Sequence, residues 1–181
     1  YLTQHATRNT DQSTPGQNAL KGLPPHTTLR DFPKGATIAT SSTIAKNSAG
    51  RDGGGLFLRL TDTTISGSTI NGNVAGGNGG GIANSYLLAV TNSTLSQNRA
   101  TINGGGLWTT FDAELSHTTM AFNRADEVGG GVFVNSGNLT LSNTVIAKNV
   151  GTFGPDLSGL LGASIVAHYS LIGSNAGSGL A

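Results

Sequence analysis

Asp112 and Glu114 stand two residues apart in the stretch "FDAELSH", with His117 close behind. In an extended chain alternate residues point the same way and lie about 7 Å apart. Two carboxylates at that separation match an inverting glycosidase, whose acid and base flank the scissile bond about 6.5–9.5 Å apart. The same spacing also describes an ordinary solvated strand face. Asp126 and Glu127 are better read as partners for Arg99 and Arg124. With 9 acidic residues in all, the chain offers at most two carboxylates to any one groove, fewer than polysaccharide lyases and hydrolases use.

The glycines invite two other chemistries. Triplets begin at Gly53, Gly79, Gly104 and Gly129. No Gly-Lys-Ser/Thr follows them, so they are not phosphate loops. Calcium-binding nonapeptide repeats carry an Asp in units of about nine residues. Here the column before the triplets reads Asp52, Asn78, Asn103 and Val128, so calcium at Asp52 has little support. His5, His26, His117 and His168 share no spacing and read as surface or turn residues. Cysteine is absent, which removes disulfides and thiolate metal sites. No metal and no cofactor is expected.

Charge narrows the partners. Asp, Glu, Lys and Arg make up 10% of the 181 residues, for a net charge of +1. Nucleic-acid binding needs clustered basic residues and is not expected. No apolar run approaches bilayer length, so no membrane insertion is expected. The first residue is Tyr and no signal-peptide pattern precedes it, so the chain reads as a processed product or a piece of something longer.

What positions these residues is a repeat. The glycine triplets recur at intervals of 26, 25 and 25 residues. An aliphatic-x-x-Asn motif keeps the same beat and ends at Asn47, Asn73, Asn98, Asn123 and Asn149. Ala follows two residues later at Ala49, Ala75, Ala100 and Ala125, and Ser/Thr pairs precede the aliphatic, as in "STI" and "TTM". A fixed period of 20 to 50 residues signals a solenoid or array. Gly, Ser, Thr and Asn are poor helix formers, and Leu56/Leu58 and Leu139/Leu141 alternate with strand spacing. The expected fold is all-β: a right-handed parallel β-helix over 36–181, with about 25 residues per coil and five to six coils. Each coil should hold three short strands and three turns. Ile44, Ile70, Leu95, Met120 and Ile146 should stack inside. The asparagines should form a ladder at one corner, with Asn taking the left-handed conformation that a sharp turn needs.

Residues 1–35 lack the beat and hold four of the five prolines. They read as an irregular cap or arm, with Leu20, Leu23, Leu29 and Phe32 available to bury.

The paired glycine-triplet and aliphatic-x-x-Asn motifs resemble the repeats of chlamydial polymorphic outer-membrane proteins. With "GPDLSG" at 154–159 and "SLIG" at 170–173, the chain more closely resembles secreted bacterial "choice-of-anchor" β-helix proteins. The resemblance spans about residues 36 to 175 and implies a pectate-lyase-like fold on an extracellular or cell-surface protein. That architecture serves enzymes, adhesins and passengers alike, so it implies no activity.

If Leu56 and Leu58 face inward, the column Phe57, Ala83, Trp108 and Phe133 faces out. A broken aromatic strip of Phe57, Trp108 and Phe133 would stack on sugar rings or on a partner protein. A Thr column, Thr43, Thr69, Thr94 and Thr119, also faces out, as exposed strand residues often do. The expected function is a structural or adhesive extracellular module without catalytic activity. Its expected partners are a polysaccharide or surface protein, or further copies stacked head to tail as a homo-oligomer or filament. The alternatives are a carbohydrate-active enzyme and a carbohydrate-binding module.

Overall fold

The computed structural model describes residues 36–59 and 62–174. The expected cap over 1–35 lies outside the described residues. Every regular element described is a strand, and every strand pair is parallel, as in a β-helix of about five turns. Four sheets run along its axis. The first contains Ala36–Thr40, Thr63–Ser66, Leu88–Thr91, Ala113–Ser116, Asn138–Ser142 and Ser164–His168. The second holds Thr43–Ala45, Thr69–Asn71, Thr94–Ser96, Thr119–Ala121, Val145–Ala147 and Leu171–Ile172. Two-residue strands such as Val74–Ala75 make the third sheet, and Leu56–Leu58, Ile82–Asn84, Leu107–Thr109, Val132–Val134 and Leu157–Gly159 make the fourth.

Each full coil therefore has four strands, not three. The additional one is the pair of residues just after each ladder asparagine. It is too short to show alternation, but it stays in register, with Arg99 opposite both Val74 and Arg124.

Inward residues form continuous apolar columns. Ile70, Leu95, Met120 and Ile146 are fully buried, and Ile44 nearly so. Each stacks on the same position of the neighbouring coils, and inward residues of the other sheets, such as Leu56, Leu58 and Ile65, fill the rest of the interior.

Three features turn the chain. Two corners carry one left-handed residue per coil: Lys46, Gly72, Gln97, Phe122 and Lys148 at one, and Ser41, Gly67, Asn92, His117, Asn143 and Tyr169 at another. The left-handed residue is thus the one before each ladder asparagine, not the asparagine itself. The third turn is the glycine triplet. Its first member, as at Gly79, takes φ +67, and a Cβ on its second, Gly80, would lie 2.4 Å from the carbonyl carbon of Arg99. Conformation and close approach both demand glycine there.

The asparagine ladder closes the corner of Lys46, Gly72, Gln97, Phe122 and Lys148. Oδ1 of Asn98 accepts the side-chain amide of Asn73 at 2.9 Å and its backbone N–H at 3.0 Å. Nδ2 of Asn98 donates to Asn123 Oδ1 and to the Ile70 carbonyl, both at 2.9 Å. Asn47, Asn123 and Asn149 lie in the same chain of bonds, and all five asparagines are buried. A parallel hydroxyl ladder explains the Ser/Thr pairs. Ser93 Oγ accepts the Ser68 N–H at 3.0 Å and donates to the Thr91 carbonyl at 2.7 Å.

Candidate functional site: a groove beside a stacked ring pair

The inward column Leu58, Asn84, Thr109, Val134 breaks the apolar rule in two successive coils. Asn84 and Thr109 are both fully buried. A buried polar side chain persists only where its bonds are satisfied, and here they are. Oδ1 of Asn84 accepts the Tyr86 N–H at 3.3 Å, while Nδ2 donates to the Tyr86 carbonyl and, at 3.0 Å, to Thr109 Oγ1. Thr109 Oγ1 in turn donates to the Phe111 carbonyl at 2.7 Å and accepts the Phe111 N–H at 3.3 Å. Its one donor and two acceptor positions are all used.

These bonds fix two consecutive turns and aim their aromatic residues outward together. The rings of Tyr86 and Phe111 stack with centroids 5.4 Å apart and planes 9° from parallel. Phe111 is 43% exposed. Beside the pair, the outer face of the first sheet forms an open groove of about 360 Å³. Among the described residues, Asp62, Leu87, Asp112, Glu114, Asn138 and Thr140 line it, with no Lys or Arg. The groove thus gathers three carboxylates, not the two at most expected from the sequence, because parallel register brings Asp62 into the same row as Asp112 two coils on. Leu87 lies 40% exposed between the carboxylates.

Asp112 and Glu114 therefore share the groove, as their spacing suggests. They are not equivalent. Oδ1 of Asp112 accepts both the backbone N–H and the side-chain amide of Asn138, each at 2.9 Å. Glu114 is exposed on the strand beside Thr140. His117 occupies a left-handed corner and its Nδ1 pairs with Ser116 Oγ at 2.9 Å. A glycosidase needs two carboxylates free on opposite sides of a bond. Here Asp112 is tied into the next coil, Glu114 stands beside it on the same face, and Asp62 lies two coils away on that face.

The remaining candidates lie elsewhere. Phe57 and Trp108 are half-buried, whereas Ala83 of the same column is fully buried and Phe133 is only 5% exposed. It is flanked along the sheet by Trp108 and Ser158, so the expected open strip is covered at that position. The guanidinium of Arg59 sits 5.9 Å from the Phe57 ring centroid. Thr43, Thr69, Thr94 and Thr119 stand in register, and Val145 then Leu171 replace them further along. Oδ1 of Asp52, the calcium candidate, accepts the backbone N–H and the side-chain amide of Asn78 at 2.6 and 3.1 Å. It begins a short ladder through Asn78 and Asn103 to Val128. Among the described residues no three His, Cys, Asp or Glu side chains converge as a metal site. Asp126 bridges Arg99 at 2.6 Å and Arg124 at 3.0 Å; Glu127 takes no part in those two ion pairs.

The ring pair went unread in the sequence because both residues lie in turns and recur only twice. The signal for it was the polar pair Asn84 and Thr109 at otherwise aliphatic positions. No family model matches the chain, and no curated protein or solved structure matches it.

Proposed function

We propose that the chain is a non-catalytic adhesive β-helix module that binds polysaccharide in the groove beside Tyr86 and Phe111. The observation that carries this reading is the stacked, partly exposed ring pair held by two fully buried polar side chains. Aromatic faces supply apolar contact to the C–H face of a sugar, and neighbouring polar groups orient its hydroxyls. The ring pair supplies the first, and the adjoining groove over the outer face of one sheet supplies the second. An extracellular or cell-surface setting suits a ligand of this kind and agrees with the resemblance to secreted β-helix proteins. The tie between Asp112 and Asn138 favours binding over hydrolysis.

A glycan array followed by calorimetric titration tests the reading. Phe111→Ala should weaken binding about tenfold, the scale of one aromatic contact. A reducing-sugar assay should show no release from the same glycans. Turnover abolished by Glu114→Gln would replace this reading with a hydrolase.

End-to-end assembly is a second reading, supported by one observation. The inward position that is fully buried at Leu141 is exposed at Ala167 in the last described coil. Light scattering that rises with concentration would support stacking of copies through that end, and a strictly monomeric protein would remove it.

A further inference from the structure

Among the described residues, Phe111 has a stacked ring on one side only. Tyr86 covers one face of Phe111, and the coil that follows brings Ser136 and Gly137 alongside the other. This coil is one residue longer at that point. Thr109 and Val134, which pair, are 25 residues apart, whereas Ala113 and Leu139, the next pair, are 26 apart. The insertion falls in the turn that passes Phe111. Gly137 takes φ +86, and a Cβ there would lie 2.8 Å from the Phe111 carbonyl carbon. The backbone thus approaches closely and projects no side chain. Ser136 turns its hydroxyl back onto the Thr110 carbonyl at 2.7 Å. Among the described residues no side chain is seen to take the third place in the stack.

We infer that this place is a subsite for a single pyranose ring, which stacks on Phe111 as the next member of the column. The inference rests on the glycan-binding reading above and names the ligand class. A ring seated there lies beside the groove, whose lining starts at Asp112 and Asn138, the chain neighbours of Phe111 and Gly137, and includes Glu114 and Thr140. Glu114 accepts hydroxyl or ammonium hydrogens, and Thr140 both donates and accepts. With three carboxylates and, among the described residues, no Lys or Arg in the lining, an acidic sugar meets like charge and finds no cation to replace its hydration. The subsite therefore takes neutral or amino sugars and rejects uronates.

The test titrates the described chain with cellohexaose, a chitosan hexamer and hexagalacturonate. Saturation-transfer NMR reports whether aromatic protons touch the sugar. The expected result is binding of cellohexaose or the chitosan hexamer at least tenfold tighter than hexagalacturonate, with transfer from Phe111. Ser136→Tyr fills the third place and should reduce that binding about tenfold while leaving the melting temperature unchanged or higher. Should Ser136→Tyr lower the melting temperature, Phe111→Ala and the loss of aromatic transfer decide in its place. Hexagalacturonate bound as tightly as cellohexaose, or tight binding without transfer from Phe111, overturns the subsite and leaves glycan binding intact. No binding of any probe overturns both.

Discussion

Asp156 receives both the backbone N–H and the side-chain amide of Asn149 on one carboxylate oxygen, each at 2.8 Å. Its other oxygen accepts the Ser174 N–H at 2.6 Å. The residue is 3% exposed and ends the asparagine ladder. A carboxylate suits this place because every group facing it is a donor, whereas Asn would set an NH₂ against one of them. Asp156→Asn should therefore destabilise the protein by about 1–3 kcal/mol, despite near-identical shape. Urea unfolding measures this, and an unchanged midpoint would show that the ladder needs no anionic terminus.

Within the ladder, Asn98→Ala removes more. It strands the Asn73 backbone N–H, one hydrogen of the Asn73 amide and the Ile70 carbonyl, all buried. The expected loss is about 2–4 kcal/mol, since each unpaired buried group costs about 1–3 kcal/mol and neighbouring coils relax in part. A melting curve superimposable on the parent would count against the ladder as a stabilising device.

The glycines divide by position. A Cβ on Gly80 would sit 2.4 Å from the Arg99 carbonyl carbon and 2.5 Å from the Gly105 oxygen, both backbone atoms of the next coil. Gly80→Ala must spread two coils and should cost at least about 3 kcal/mol. Nothing lies within 4 Å of a Cβ on Gly50, so Gly50→Ala should change stability by no more than about 0.5 kcal/mol. Paired thermal melts check the contrast, and equal effects would mean that the coil spacing yields more readily than its contacts suggest.

Coil length and the inward aliphatic column were legible because they repeat, and a contact one period away is the defining contact of this fold. What does not repeat was harder to read. Strands of two residues, such as Val74–Ala75, show no alternation and merge with the neighbouring turn. Alternation set Phe133 opposite its inward neighbours Val132 and Val134 but carries no information on cover, and Phe133 is buried between its register neighbours Trp108 and Ser158. Asp112 and Glu114 were placed in one groove by spacing alone. The tie from Asp112 to Asn138 spans 26 residues, and no local pattern announces it. Tyr86 and Phe111 were hidden because turn residues follow no period of their own.

Asp126 provides a pH dependence. Its carboxyl is held below the ordinary value of 3.8, first by the hydrogen bond from Arg124, with desolvation opposing and Arg99 adding to the decrease. A carboxyl whose folded value lies below its unfolded one contributes stability above the unfolded value. That contribution is lost as pH falls through the folded value. Stability should therefore decline below about pH 4 by a small increment that Asp126→Asn lacks, and added salt should shrink it because the cluster is solvated. Denaturation midpoints between pH 2 and 5 for both proteins measure it; parallel curves would assign the bridge no role.

The hydroxyl of Thr109 links the buried interior to the candidate site, and its removal separates fold from function. Thr109→Val keeps the shape but deletes the donor to the Phe111 carbonyl, the acceptor of its N–H and the acceptor of one Asn84 hydrogen. Neighbouring coils remain paired through Leu107 and Ala113, so the β-helix should persist with a loss of about 1–3 kcal/mol. The turn that aims Phe111 should loosen. Its backbone N–H should exchange with solvent faster than in the parent, and glycan affinity should fall by roughly three- to tenfold. Thr109→Ser retains the hydroxyl and should restore both. Exchange of the Phe111 amide reads the turn without any ligand, so it stands whatever glycan is used. An amide still protected in Thr109→Val would show that the turn is held by the flanking strands alone.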